Sequence, residues 1–186
     1  MVTSLAAYLA LLALFVLERG AELVLSTRHA RVALARGGVE SGRGHYAFMV
    51  ALHALFLISC AAEPIALGRP SPGAVALVPL AVVLLAQGLR WWAIATLGEQ
   101  WNTRVIVVPD LEPATGGPYR FLRHPNYLAV VAEIACLPLV HGAWLTAVVF
   151  SVANALLLAV RVPCEEKALG PRWEQALAGR ARDASS

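Results

Sequence analysis

Residues 117–169 read GPYRFLRHPNYLAVVAEIACLPLVHGAWLTAVVFSVANALLLAVRVPCEEKAL, and this stretch decides the fold. Two apolar segments, about Pro125 to Val140 and Ala143 to Val162, flank a tight turn at Pro138, His141 and Gly142, a pattern that predicts a helical hairpin. A polar cluster stands at each open end. Gly117 to Tyr127 gathers one His, two Arg, two Tyr and two Pro, and Arg161 to Leu169 gathers Arg161, Glu165, Glu166 and Lys167. A hairpin returns both clusters to one side of the membrane, so they are read as one site.

The rest of the chain agrees with a membrane setting. Of its 186 residues 59% are hydrophobic and 15% charged, against about 25% charged in a soluble domain; mean hydropathy is +0.65. Further apolar segments run from about Val2 to Leu17, Tyr46 to Leu67 and Ala74 to Leu97. Each is near the ~20 residues that cross a bilayer. The expectation is an all-α integral membrane bundle of about five transmembrane helices, forming a single domain over residues 1–186. The first span continues as an amphipathic helix toward Ala35, where Gly37 and Gly38 break it. Lacking a basic leader and a small-residue cleavage signature, it is read as retained. Val105 to Val108 reads as a short strand or an extended lid, and Trp101-Asn102 as a cap over the substrate opening. An amphipathic tail helix is expected past Pro163, with Leu169, Trp173 and Leu177 spaced by four.

Charge sets orientation. Of 15 basic residues all but Arg69 fall outside the connection between spans two and three and on the side of the polar clusters, Arg90 among them. The positive-inside rule then places both clusters on the cytoplasmic side. The basic balance does not signal nucleic acid, because the charges sit beside apolar spans. Cys60, Cys136 and Cys164 show no CxxC spacing, and the five histidines are scattered, so no metal or disulfide framework is expected.

Chemistry follows from the polar clusters. Pro125 suits the first turn of a helix, where its missing N–H costs nothing, so His124-Pro125 opens the fourth span. Such an N-terminus seats a carboxylate or phosphate, and His124 and Tyr127, three apart, both line it. Taken alone, this cluster fits an interfacial belt equally well. Arg161 and Glu165 share a helical face, with Pro163 between them expected to bend or interrupt the helix. Ionisable groups at such depth are functional candidates. Asn154, seven before Arg161, points to the same face, either into a cavity or toward a neighbouring helix. Glu133, roughly opposite His124, is expected to meet Asn154 or a nearby backbone group. Trp91 and Trp92 fit an interfacial belt or a cavity wall.

The motifs RHPNY at 123–127 and R-x-x-x-E-E-x-x-L at 161–169 resemble the isoprenylcysteine carboxyl methyltransferase family of membrane enzymes, over about Trp101 to Leu169. With HYAFMVALHALF at 45–56 and AQGLRWWAIATLGEQWNTRVIVVP at 86–109, the chain is similar to the bacterial branch that methylates alkylpyrones made by type III polyketide synthases. The resemblance implies an S-adenosylmethionine-dependent O-methyltransferase with a catalytic half at about 101–170. It implies cofactor binding by Tyr119, His124, Pro125, Asn126, Tyr127 and Glu165. It also implies an acceptor oxygen held by Arg161, with Arg161 and Glu165 catalytic and Asn154 beside the substrate. Asn126 departs from the family, whose members often carry other small or polar residues there. No GxGxxG follows a strand, which excludes a soluble Rossmann-type enzyme.

The expected acceptor is lipid-like, an alkylpyrone or alkylresorcinol, and the expected location a bacterial inner membrane; arginine-rich, lysine-poor usage fits a high-GC genome. Two alternatives stand beside it: methylation of a prenylated cysteine carboxylate, and a non-catalytic membrane subunit or transporter.

Overall fold

The computed structural model describes residues 4–109 and 111–183, with side chains to residue 171. Five helices carry it: α1 (Leu5–Ala35), α2 (Arg43–Ala66), α3 (Leu77–Leu97), α4 (Pro125–Cys136) and α5 (Trp144–Asp183). Two three-residue strands, β1 (Val39–Ser41) and β2 (Val105–Val107), pair antiparallel with Glu40 opposite Ile106. The β-branched run is therefore a strand, though β2 ends one residue short of Val108.

Among the described residues three segments are long and apolar enough to cross a membrane: Arg43–Leu67, Gly73–Gln100 and Trp144–Pro171. The other two expected spans differ for physical reasons. The fourth is a short apolar helix, Pro125–His141, whose last turn tightens to a 3-10 turn at Pro138–His141 before Gly142 reverses the chain with a φ of 72°. The first is one continuous 31-residue helix with Glu18, Arg19 and Glu22 in its middle. Its polar half faces inward, because Glu22, Ser26 and Ala30 continue the buried stripe of Tyr8, Leu12 and Phe15. Charge at mid-helix is tolerated there because every member has a protein partner rather than lipid.

Apolar packing joins the helices away from the polar ends. Tyr8, Leu12 and Phe15 of α1 meet Phe56 and Cys60 of α2, Val83 of α3, and Val130 and Ile134 of α4. Leu14, Leu17, Ile58, Leu85 and Leu156 point outward, as lipid-facing positions must. Tyr8 stacks on His141 at 5.3 Å. The start of α1 thus lies with the end of α4, and helix alternation brings the ends of α1, α3 and α5 together with the starts of α2 and α4.

One expectation about α5 needs correction. Helical geometry continues through Pro163, and the break falls at Gly170, with φ 64° and ψ −164°. The Pro163 ring removes one N–H without halting the helix, while Gly170 adopts a conformation open only to glycine. Trp173 and Leu177 of the expected amphipathic face lie outside the described side chains.

Candidate active site

A turn of 3-10 helix, Gly117–Arg120, leads into α4. It needs glycine at its start: Gly117 has a φ of 53°, and a Cβ there would collide with the Thr96 hydroxyl. This close approach sets Tyr119 against Ala93, with Leu97 and Leu169 alongside. Burial, followed by the nearby Glu165 charge, lifts the Tyr119 phenol above its ordinary range, so it stays protonated.

Pro125 opens α4 as expected, fully buried, with His124 as the preceding cap residue. The bond from Leu128 N–H to the His124 carbonyl, 3.2 Å, starts the helical ladder. The amides of Asn126 and Tyr127 precede it, so the positive end of the helix dipole is presented at this point. The His124 ring stacks on Tyr127 with centroids 5.3 Å apart.

The two polar clusters meet. The Arg161 Nε–H donates to the Tyr127 hydroxyl at 2.9 Å, and that hydroxyl donates to a Glu165 carboxylate oxygen. Arg161 and Glu165 are thus linked through a residue of another helix rather than by a plain contact along α5. Arg161 is only 4% exposed, and its Nη2 donates to the Thr103 carbonyl at 2.5 Å. Its Nη1 and the Asn154 Oδ1 are both buried without a protein partner. His124 Nε2 lies 3.2 Å from Glu166, which Arg123 also approaches at 3.4 Å. Glu166 was not among the sequence candidates, although the doubled Glu after Arg161 was its signal.

Tyr119, His124, Asn126, Tyr127, Asn154, Arg161 and Glu165 all line one cavity of ≈ 1070 Å³. Its remaining walls are largely apolar, with Leu12 and Val16 of α1, Ala54 and Leu57 of α2, and Leu157 of α5. Trp101 also lines it and is buried, so it forms wall rather than an exposed cap.

A second polar layer went unread in the sequence. Arg90 of α3, counted there as a charge of the membrane face, is 4% exposed and pairs bidentately with Glu133 of α4 at 3.0 and 2.8 Å. Its Nη1 reaches the Asn126 side chain at 3.4 Å and Glu22 of α1 at 3.5 Å. Arg19 adds bonds to Glu22, at 2.9 Å, and to Gln87, at 3.2 Å. Glu133 therefore meets Arg90, not Asn154 or backbone. Trp91 and Trp92 are about half exposed, at 45% and 49%, on the outer surface, and the Trp91 indole N–H donates to Glu18 at 2.6 Å.

A family model for isoprenylcysteine carboxyl methyltransferases matches residues 77–171. That range holds Arg90, all of α4, Asn154, Arg161 and Glu165. Among similar proteins, Uncharacterized protein YpbQ of Bacillus subtilis is 38% identical over 159 residues, 86% of this chain and 94% of that protein. An uncharacterized protein of Haemophilus influenzae is 27% identical over 148 residues, 79% of this chain and 86% of its own.

Proposed function

The chain belongs to the isoprenylcysteine carboxyl methyltransferase family, and from that premise we propose that it O-methylates an alkylpyrone or alkylresorcinol, with S-adenosylmethionine as donor. The family makes it a membrane methyltransferase; the lipid-like acceptor is our reading of the cavity. What carries the reading is the line Arg161–Tyr127–Glu165 at the polar end of a space with largely apolar walls. A ring with an ionisable oxygen and an alkyl chain has that polarity.

The residues present suit the donor. Its carboxylate matches the α4 N-terminus, its ammonium or ribose hydroxyls match Glu165 and Glu166, and Tyr119 and His124 offer ring surface. When bound, it supplies a methyl group on a positively charged sulfur. Positioning then dominates the chemistry, since in-line attack needs the reacting atoms about 3–3.5 Å apart.

Arg161 does the positioning on the acceptor side. Two of its nitrogens are committed to fixed acceptors, Tyr127 and Thr103, which leaves Nη1 for an acceptor oxygen. An enolic pyrone oxygen is already anionic near neutral pH and needs orientation only. A resorcinol hydroxyl must lose its proton as the O–CH₃ bond forms, and Glu165 and His124 are the bases of the site. The Asn154 Oδ1 is suited to a second hydroxyl of the acceptor.

A cytoplasmic site in a bacterial inner membrane is part of the proposal. Arg36, Arg43, Arg104 and Arg123 stand at the end of the bundle that holds the site, whereas Arg69 pairs with Glu63 at the other end.

Purified protein given labelled S-adenosylmethionine should convert a 4-hydroxy-6-alkyl-2-pyrone or an alkylresorcinol to its methyl ether. A methyl ester formed only on a prenylated cysteine would transfer the reading to that acceptor. Absence of transfer to all three would overturn the enzyme reading.

A further inference from the structure

We infer that Ser26 of α1 is a positioning residue for Arg161, acting through the backbone of Thr103. The inference rests on reading Arg161 as the group that holds the acceptor. Ser26 lies outside the family-matched segment, which begins at residue 77, and the sequence offered no motif around it.

Ser26 is 3% exposed, and its hydroxyl meets three groups of one short connection. It lies 2.9 Å from the Asn102 Oδ1, 2.6 Å from the Thr103 hydroxyl and 3.0 Å from the Thr103 N–H. A serine oxygen has one hydrogen to give and two lone pairs. One assignment satisfies all three: Ser26 donates to Asn102, and the Thr103 hydroxyl and amide both donate to Ser26. That leaves the Thr103 oxygen to accept from the Tyr46 hydroxyl, 3.4 Å away. The Asn102 side chain also donates to the Ser26 carbonyl at 3.2 Å, and the His29 Nδ1 lies 2.8 Å from the Trp101 carbonyl. Ser26 and His29, three apart, thus pin three consecutive residues of the connection to one face of α1.

The consequence lies on the other side of Thr103. The Arg104 N–H, in the same peptide unit as the Thr103 carbonyl, donates to the Asn102 Oδ1 at 2.8 Å, so the residue that Ser26 holds also sets the direction of that carbonyl, which accepts from Arg161 Nη2 at 2.5 Å. A guanidinium is a planar fork. Fixing Nη2 on Thr103 and Nε on Tyr127 therefore fixes where Nη1 points, and Nη1 is the buried donor without a protein partner. Tyr127 belongs to the donor side of the site. Thr103 is the independent anchor, and α1 holds it.

Three variants, Ser26→Ala, Ser26→Thr and Asn102→Ala, decide the matter by two readouts. The first is hydrogen exchange of the Arg161 Nη2–H that the Thr103 carbonyl accepts, followed by NMR in detergent and assigned with Arg161→Lys. Exchange should accelerate about fivefold or more in Ser26→Ala, the factor matching one lost hydrogen bond, less in Asn102→Ala, and revert in Ser26→Thr. S-adenosylmethionine affinity, measured by calorimetry, should stay within about twofold of the parent, which also certifies the fold. The second readout is turnover of the pyrone, where kcat should fall by up to about 100-fold in Ser26→Ala with the donor KM unchanged. Unaltered Arg161 exchange in Ser26→Ala overturns the inference, as does a Ser26→Thr variant no better than Ala. Parent protein that binds no S-adenosylmethionine instead overturns the methyltransferase reading, and the exchange result still stands by itself.

Discussion

Arg90 has much to lose, because it sits among three helices and holds the side chains of Glu133 and Asn126 at once. Removing one member of a buried ion pair leaves an uncompensated charge and costs about 3–5 kcal/mol, whereas replacing the pair by apolar groups is often neutral. Arg90→Met should therefore destabilise the protein by an amount of that order in a detergent unfolding titration. The Arg90→Met, Glu133→Leu double variant should recover much of the loss, since Glu22 keeps its 2.9 Å bond to Arg19. A double variant as unstable as the single one would contradict this account. At this scale the sequence was legible where chemistry is local. His124, Pro125 and Tyr127 announced a helix start, and Arg161 and Glu165 announced a shared face. It was silent where a partner lies on another helix. Glu133 could be placed on its wheel, but only the packing of α3 on α4 shows that Arg90 faces it, and Arg90 in the sequence looks like any basic residue near a membrane edge.

The helical elements were legible from apolar runs and turn residues, and their ends were less so. Pro163 predicts a break because proline lacks an N–H, yet α5 continues past it to a break at glycine. The start of the hairpin's second helix holds a feature no local pattern revealed: Glu63, near the end of α2, accepts the amides of Leu145 and Thr146 at 3.2 and 2.7 Å. It caps the first turn of α5 with a carboxylate from another helix, at the positive end of the dipole. Thr146 adds its hydroxyl at 2.8 Å and Arg69 its guanidinium at 3.1 Å. Glu63→Ala should lower stability by about 1.5–3 kcal/mol, the range for hydrogen bonds to a charged group, while leaving S-adenosylmethionine affinity within about twofold, since additivity holds between distant sites. Thermal unfolding with parallel calorimetry measures both, and an unchanged midpoint would contradict the capping role.

At the scale of the whole molecule, the described helices line a cavity with mostly apolar walls, with the Arg161 cluster at one end and Arg19, Glu22 and Arg90 along it, and α1 supplies more of its surroundings than a surface helix would. The family-matched segment contains α3, α4 and the site-bearing part of α5, but Glu22 and Ser26 of α1 complete its polar contacts. This division explains what could be read in advance. Motif residues near one another in sequence revealed the donor side, while the walls and the anchor of Arg161 depend on helices far apart in the chain. The central claim is a division of labour, with the start of α4 holding the methyl donor and Arg161 presenting the acceptor. Arg161→Ala tests it most directly, by calorimetric S-adenosylmethionine affinity alongside single-turnover methylation of the pyrone. The account predicts near-complete loss of transfer with donor affinity mostly intact. Loss of donor binding in step with transfer would contradict it and reassign Arg161 to the donor.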